Sequence, residues 1–516
     1  MKKLIKLMMV LGTIGLFFPA CDLDKTPHNA MSTEDTFQTM TDANFQRNGL
    51  YSQFRGRQLG VFASTAEWMT DLFIAAPNFG NRGGNPHFLN TQLLDDYFGR
   101  DIWRNVYNSI AQINNFIERI GNVETTTAAE KASIDIFIAE AHYMRAYMYY
   151  ILIKYFGVAY DPATAASKPG VPLVTTVDIQ AKPARASVAA VYGFIMDEIA
   201  LAEKLTVTGA AGSERITIDA VRALKSRVQL LMRNYAGAAA TAQGLIDSGR
   251  YALITTEAGL RNYWTQDVGS EDILRLFVSA TEFGVAMVGA GNANDDQHMA
   301  PFASWSTGNS AYWPDWLPTK TVMDMYEATD LRKSTYFIYG DSLNPIIVRS
   351  AFCRNVYTLG KFPFTTMYGG ATAGAMHRHK PKVHRIAEQY LIAAEALHRS
   401  GNTAAGLAVM NTLRAARGAS ALNALTDEAI RNEWAKEMIG EGVYLSHMKR
   451  WGIGFNGRVP QEVWNRAGTA RVDPAFTGAD LVVAPANWYR FTLPIPQNDL
   501  RLNPNLEQTP EWVDPK

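Results

Sequence analysis

Arg385-Ile-Ala-Glu-Gln-Tyr-Leu-Ile-Ala-Ala-Glu-Ala-Leu397 is the stretch on which the fold turns. Ile386, Tyr390, Ala393, Ala394 and Leu397 recur at three- and four-residue steps, which predicts a helix over Arg385 to Arg399 with one apolar face. Gly401-Asn402 turns the chain, and Ala404 to Arg417 returns with Leu407, Met410 and Leu413 facing inward. Small residues on the returning helix let the two backbones approach closely. That is the physics of tetratricopeptide-type helix pairs.

Upstream, the same pattern recurs in degenerate form. Ala220 to Arg233 carries Val221, Leu224, Val228 and Leu231 on one face, and the alanine-rich Tyr235 to Asp247 follows, closed by Ser248-Gly249. Ser187 reads as the N-cap of a helix whose stripe is Val188, Val191, Tyr192, Ile195, Ile199 and Leu205. A connection through Pro162, Pro169 and Pro172 precedes it. Ile134 to Phe156, ended by Gly157, is apolar almost all round and should be central. The first clear helix is Trp103 to Ile120. Downstream, Thr426 caps a last long helix, with Asp427 and Glu428 in its first turn, that should extend towards Met448. The expected class is mostly α, with helix pairs forming a scaffold.

Between Tyr251 and Lys380 the texture changes to Gly, Asn, Pro and aromatics. Helical periodicity is lost except near Thr319 to Thr329, and Ile273 to Val278 suits a short strand. A stretch this long within a compact protein points to function, so an irregular, loop-rich lobe with a few short strands is expected. Trp305, Tyr312, Trp313 and Trp316 cluster there, with Asn309 and Asp315 among them. Flat rings cover the apolar face of a pyranose while amides and carboxylates fix its hydroxyls. Trp264, beside Asn262 and Tyr263, would add another wall. A second candidate loop precedes the first helix: Asp71, Asn78, Phe79, Asn81 and Arg82, in a Gly-rich setting. The plainer reading of these rings is that they anchor a lobe poor in regular structure.

The amino terminus carries a different message. Lys2, Lys3 and Lys6 precede a short apolar run, Leu7 to Phe18, and then Pro19-Ala20-Cys21. A run of about a dozen residues is too short to span a bilayer and reads as a secretory signal. Ala20 before Cys21 suits the lipoprotein form of that cleavage, although Phe18 stands where a leucine is usual. Acylation at Cys21 would anchor the mature chain by its lipids. No other segment is expected to cross a membrane: Asp135, Glu140, His142, Arg145 and Lys154 interrupt the best candidate, Ile134 to Phe156.

Removing residues 1–20 takes away three lysines and no acid, leaving 46 basic against 49 acidic side chains. That balance gives no electrostatic reason to expect nucleic acid as a partner. With Cys21 acylated, Cys353 is alone and no intrachain disulfide can form. The core must hold the fold, and 47% hydrophobic residues suffice. Enzyme signatures are missing: no Gly-x-Ser-x-Gly elbow, phosphate loop or dinucleotide turn stands in the right context, so no catalytic residue and no cofactor is expected. His377, His379 and His384 put no metal triad on one helix face, and Arg378, Lys380 and Lys382 would oppose a cation. Asp295-Asp296 could serve as paired carboxylates or as hydrogen-bonding partners for a sugar.

Several segments together resemble the SusD/RagB family of Bacteroidetes outer-membrane lipoproteins. Arg385 to Leu397 with Gly401-Asn402 is similar to its most recognisable helix. Ala139 to Tyr150, with Tyr155-Phe156-Gly157 and Gly170-Val-Pro-Leu-Val174, resembles an early helix and the loop after it. Glu437 to Gly452, with Glu441-Gly442 and Lys449-Arg450-Trp451-Gly452, resembles a third block. Leu493-Pro-Ile-Pro-Gln497, Asn503-Pro-Asn-Leu506 and Gln508 resemble the C-terminal signature. Val443-Tyr444 and Thr509-Pro510-Glu511 depart from the family pattern, both within scaffold motifs. The amino-terminal residues give a signal peptide over 1–20 and a lipid-anchored tether over 21–30 as expectations, and the resemblance implies a single body over 31–516. Within that body it implies a scaffold of four tetratricopeptide-like helix pairs (about 31–250 and 381–516) and a binding lobe (about 251–380). It further implies an exterior-facing lipoprotein that captures an oligosaccharide, or a peptide in the RagB branch, for a SusC-like TonB-dependent transporter. In the family, ligand contacts come from loops of both candidate regions.

Overall fold

In the computed structural model, which describes residues 35–513 apart from 78, 80–82, 90–91, 93, 283–301, 349, 369–376 and 473–480, helices begin where the sequence supplies a capping oxygen. Thr127 accepts the Glu130 N–H while the Glu130 carboxylate accepts the Thr127 N–H, and this reciprocal cap opens the Ala128–Phe156 helix. Ser187 caps Val188–Ala202, Thr217 caps Ile218–Leu231, Asn234 caps Tyr235–Asp247, Asn402 caps Thr403–Ala416 and Thr426 caps Asp427–Met438.

These helices pack side by side in a continuous stack. Tyr97–Arg119 lies against Ala128–Phe156, which lies against Val188–Ala202; Ile218–Leu231 pairs with Tyr235–Asp247, and Ile386–Arg399 with Thr403–Ala416. The two hairpins are joined because Tyr235–Asp247 also packs on Ile386–Arg399, so helices far apart in sequence are neighbours in the stack. Ala238, Ala239 and Ala242 are buried on the shared helix. Between Ile386–Arg399 and Thr403–Ala416, a Cβ on Gly406 would stand 2.6 Å from the Ala394 carbonyl, so only glycine permits this approach.

The central helix is buried from Ala139 onwards. Asp135 is exposed, and the charges from Glu140 onwards are satisfied within the core. Glu140 accepts two bonds from Arg47 at 2.6 Å and one from Tyr51 at 2.8 Å. Arg145 grips Glu198 at 2.7 and 2.8 Å, and Lys154 donates to the carbonyls of Phe62 and Gly442. Among the described residues no helix is long and apolar enough to cross a membrane.

Three expectations need correction. Helices Met40–Gly56 and Val61–Trp68 precede the one read as first; they carry polar residues through their apolar faces, which hid the period. The helix from Thr426 does not run on to Met448. It stops at Met438 and restarts as Tyr444–Trp451, because Gly440 and Gly442 take φ of +75° and +71°. The break docks on Val61–Trp68, where the Gly442 N–H donates to Glu67 at 2.7 Å and a Cβ would meet the Ala63 backbone at 3.0 Å. The stretch 251–380 holds helix Glu257–Thr265 and the short turns Lys320–Met323 and Leu331–Thr335 as well as strands.

The lobe leaves and rejoins the stack at one neck. Strand Asp272–Arg275, where Ile273 to Val278 was expected, pairs antiparallel with Lys382–Arg385, which runs directly into the Ile386–Arg399 helix. Beyond the neck a sheet forms in the order 471–472, 463–465, 351–354, 346–348, 311–312, 305–306. Its first two strands come from the C-terminal segment, so residues within the scaffold stretch 381–516 contribute to the lobe. Strand Phe73–Ala75 pairs with Trp316–Pro318 and ties the early loop to it.

Candidate functional site

The neck beneath the lobe is a buried web of ion pairs. Arg385 contacts Glu441 at 2.7 Å, Glu437 at 2.8 Å and Glu271 at 3.2 Å; Arg417 contacts Glu271 and Glu437, both at 2.9 Å. Arg332 reaches Asp330, Glu433 and Glu437 at 2.6 to 3.0 Å. Burial alone would raise the Glu437 carboxyl, but Arg417, Arg385 and Arg332 outweigh it and hold it well below the carboxylate range. Lys361, which donates to Glu441 at 2.6 Å, lies 4.6 Å from the Trp264 ring centre, and burial lowers its pKa to about 8. These shifted groups are all spent on one another. They fix the base of the lobe and leave its far end to carry a site.

At that end, Trp305–Ser306 and Ala311–Tyr312 form a hairpin through Thr307-Gly308-Asn309-Ser310. Trp305 pairs with Tyr312 across the strands, their rings edge to face at 4.9 Å, and stacks on Phe364 at 4.6 Å and 20°. The indole is half-buried, held between two rings with its remaining surface towards solvent. Asn309 is exposed at the turn, its amide donating to the Ser306 hydroxyl at 2.8 Å. Trp313 is half-buried, and its backbone N–H donates to the Ser304 carbonyl at 2.7 Å. Asp315 is also half-buried, and its carbonyl accepts from Ala76 at 2.8 Å. A small core of Ile74, Tyr312, Leu317, Ile346, Val348, Cys353, Val356 and Val463 underlies this patch, with Phe88 and Phe364 at its margin. Both candidate stretches therefore converge on one part of the lobe.

Not every ring expected at the ligand lies on the surface. Trp316 is 0% exposed, packed by His87 at 4.5 Å, Phe79 at 5.4 Å and Trp68 at 5.7 Å. Trp264 is also 0% exposed, walled by Phe362 and Tyr336 and by the cations of the neck. Both indoles are core, so a ligand on the surface does not reach them; the physical reason is that each roofs a structural cluster. Phe79 is buried against Trp316, and Tyr312 lies mainly beneath Trp305. Asp71 is half-buried; burial raises its carboxyl, with Arg458 opposing. Asn78, Asn81, Arg82 and Cys21 lie outside the described residues, as do Asp295 and Asp296.

The three histidines are buried. His384 meets the Tyr143 hydroxyl at 2.8 Å, His379 the Pro363 carbonyl at 2.8 Å, and burial lowers His377 to about 3. Among the described residues no group of three or more His, Cys, Asp and Glu side chains is placed to hold a metal ion. Cys353 is buried in the small core, and desolvation raises its thiol pKa. Sequence reasoning missed Phe88 and Phe364. Each is a lone ring in an irregular stretch, and no periodicity marks it.

Residues 295–512 match the SusD family model, and residues 23–230 match a family described as starch-binding, associating with outer membrane. No curated protein matches the chain. Among solved structures it is similar to a SusD superfamily protein from Bacteroides thetaiotaomicron VPI-5482, with TM-score 0.72 and 24% identity over 92% of this chain and 100% of that one. It is similar to a SusD-like carbohydrate binding protein from Bacteroides vulgatus ATCC 8482, with TM-score 0.70 and 19% identity over 91% of this chain and 98% of that one. It also resembles a laminarin binding SusD-like protein, with TM-score 0.67 and 20% identity over 92% and 100% of the two chains.

Proposed function

Because this chain belongs to the SusD/RagB family, we propose that it is a surface lipoprotein that binds a nutrient oligosaccharide and delivers it to a TonB-dependent outer-membrane transporter. The observation that carries the reading is the Trp305 patch. A half-buried indole is braced by Phe364 and Tyr312, with the half-buried Trp313 next to Tyr312 in the chain and the amide of Asn309 at the exposed turn. A braced ring loses little freedom when a sugar stacks on it, and an adjacent amide serves hydroxyl groups. The laminarin binding and carbohydrate binding neighbours support the ligand class. The outer-membrane association in the matched family description supports the location. Anchoring through Cys21, with residues 22–30 as tether and the lobe facing outward, completes the arrangement.

Calorimetry with the mature chain tests the ligand class, using laminarin, starch oligosaccharides and a set of peptides. Saccharide binding in the micromolar to millimolar range, with no response to peptides, is expected. Peptide binding without any saccharide response would replace the reading by a peptide-capturing one on the same scaffold.

A further inference from the structure

A groove of about 480 Å³ opens on the lobe between the Leu331–Thr335 turn and the strand pair Phe337–Tyr339 and Tyr357–Leu359. That volume lies within the roughly 300–1,000 Å³ of small-ligand sites. Its aromatic side is Tyr339, 40% exposed, with Tyr357 directly opposite in register, ring centres 5.0 Å apart and inclined at 52°. Ile338, next to Tyr339 in the strand, packs against the small core that carries Trp305 and also lines the groove's edge. Trp305, Tyr312 and Phe364 do not line the groove.

The charges of the groove are unequally engaged. Asp330 is buried, with both oxygens held by Arg332 at 2.7 and 2.8 Å. Asp341 accepts the Leu343 and Asn344 N–H groups through one oxygen, at 2.7 and 2.8 Å, and places its charge at the Asn344 end of the groove. Arg261 pairs with Glu257 along its own helix. Lys333 is half-buried, its ammonium 5.8 Å from the Tyr357 ring centre, and no carboxylate among the described residues pairs with it. An aromatic platform beside an unpaired ammonium suits a sugar that itself carries an anion.

We propose that this groove is a second saccharide site, selective for a sugar unit bearing a carboxylate or sulfate. Tyr339 takes the apolar face of the ring, Lys333 pairs with the anionic group, and the exposed Asn344 amide serves hydroxyls. The proposal does not rest on the Trp305 reading.

The test is calorimetry at low salt on the mature protein with tetragalacturonate, its methyl ester and a sulfated carrageenan tetrasaccharide. At least one anionic probe should bind, and neutralising the anion should weaken binding roughly tenfold or more, as expected for a charge-assisted contact. Lys333→Gln should lose the same factor, and Tyr339→Ala should remove binding while the melting temperature stays near the parent's. Trp305→Ala should leave this binding unchanged. The proposal is overturned if neither anionic probe binds, if the methyl ester binds as tightly as the acid, or if Lys333→Gln binds like the parent. Competition by a glutamate oligomer would make the groove an acidic-peptide site instead. Loss of binding in Trp305→Ala but not in Tyr339→Ala would move the anionic ligand to the other patch.

Discussion

Glu437→Gln is the perturbation that tests how the lobe is held. One Glu437 oxygen accepts from Arg385 at 2.8 Å, from Arg417 at 2.9 Å and from the Tyr336 hydroxyl at 2.9 Å. The other accepts from Arg332 at 3.0 Å and Arg417 at 3.1 Å. In this web Glu271, Glu327, Asp330, Glu433, Glu437 and Glu441 balance Arg332, Lys361, Arg385, Arg414, Arg417 and Lys436. Glutamine has nearly the same shape but leaves the web with an uncompensated positive charge, and it turns an N–H₂ group towards guanidinium donors. Breaking one partner of a buried ionic cluster costs about 3–5 kcal/mol. Urea unfolding followed by tryptophan fluorescence should show that loss. The exposed control Glu257→Gln, which removes the surface pair with Arg261, should cost about 0–1 kcal/mol. If Glu437→Gln costs no more than the control, the web is not what secures the neck.

Other consequences can be measured alongside. Glu388 and Glu395 are buried, which alone would raise them, but Arg227 and Arg450 hold each down to about 2 from an ordinary 4.5. Both folded pKa values are depressed, so this stability is present above about pH 4.5 and should drain away towards pH 2, as unfolding titrations across that window would record. Gly406→Ala should destabilise the protein by about 1–3 kcal/mol despite alanine's better helix propensity, because its Cβ meets the Ala394 carbonyl; a gain in melting temperature would refute the close approach. Cys21→Ala should yield a folded protein that incorporates no palmitate and leaves the membrane fraction, since each acyl methylene contributes about 0.8 kcal/mol of membrane affinity; continued sedimentation with membranes would sink the anchor.

The helical stack was readable because burial on one face imposes a period on the residues that bear it. Ser187 and Thr426 are visible caps, and Ile386 to Leu397 is a visible stripe. The neck was not readable. Glu271, Arg332, Arg385, Arg417 and Glu437 lie in five separate segments, and each looks like an ordinary charged residue until the fold brings them together. The break at Gly440 and Gly442 did leave a trace in the sequence, but two glycines inside a helical pattern also suit a tolerated interruption. In the lobe, composition located the aromatic region without sorting its members. Trp305 and Trp316 look alike in sequence, and only the pairing of Trp316–Pro318 with Phe73–Ala75 places one indole beneath the surface while the other reaches it. Tyr339 and Tyr357 escaped notice because their short strands carry too few residues to show alternation.

The central claim is that the Trp305 patch binds saccharide, and the most direct measurement pairs affinity with melting temperature for single tryptophan variants. With the saccharide that binds in the ligand panel, Trp305→Ala and Trp313→Ala should each weaken affinity by about 2 kcal/mol, the scale of an aromatic anchor at a binding hot spot, while folding stability changes little. Trp316→Ala, removing a ring that is 0% exposed, should instead lose about 3–5 kcal/mol of stability. Unchanged affinity in both Trp305→Ala and Trp313→Ala, with melting points lowered as in Trp316→Ala, would contradict the account and make all three rings structural.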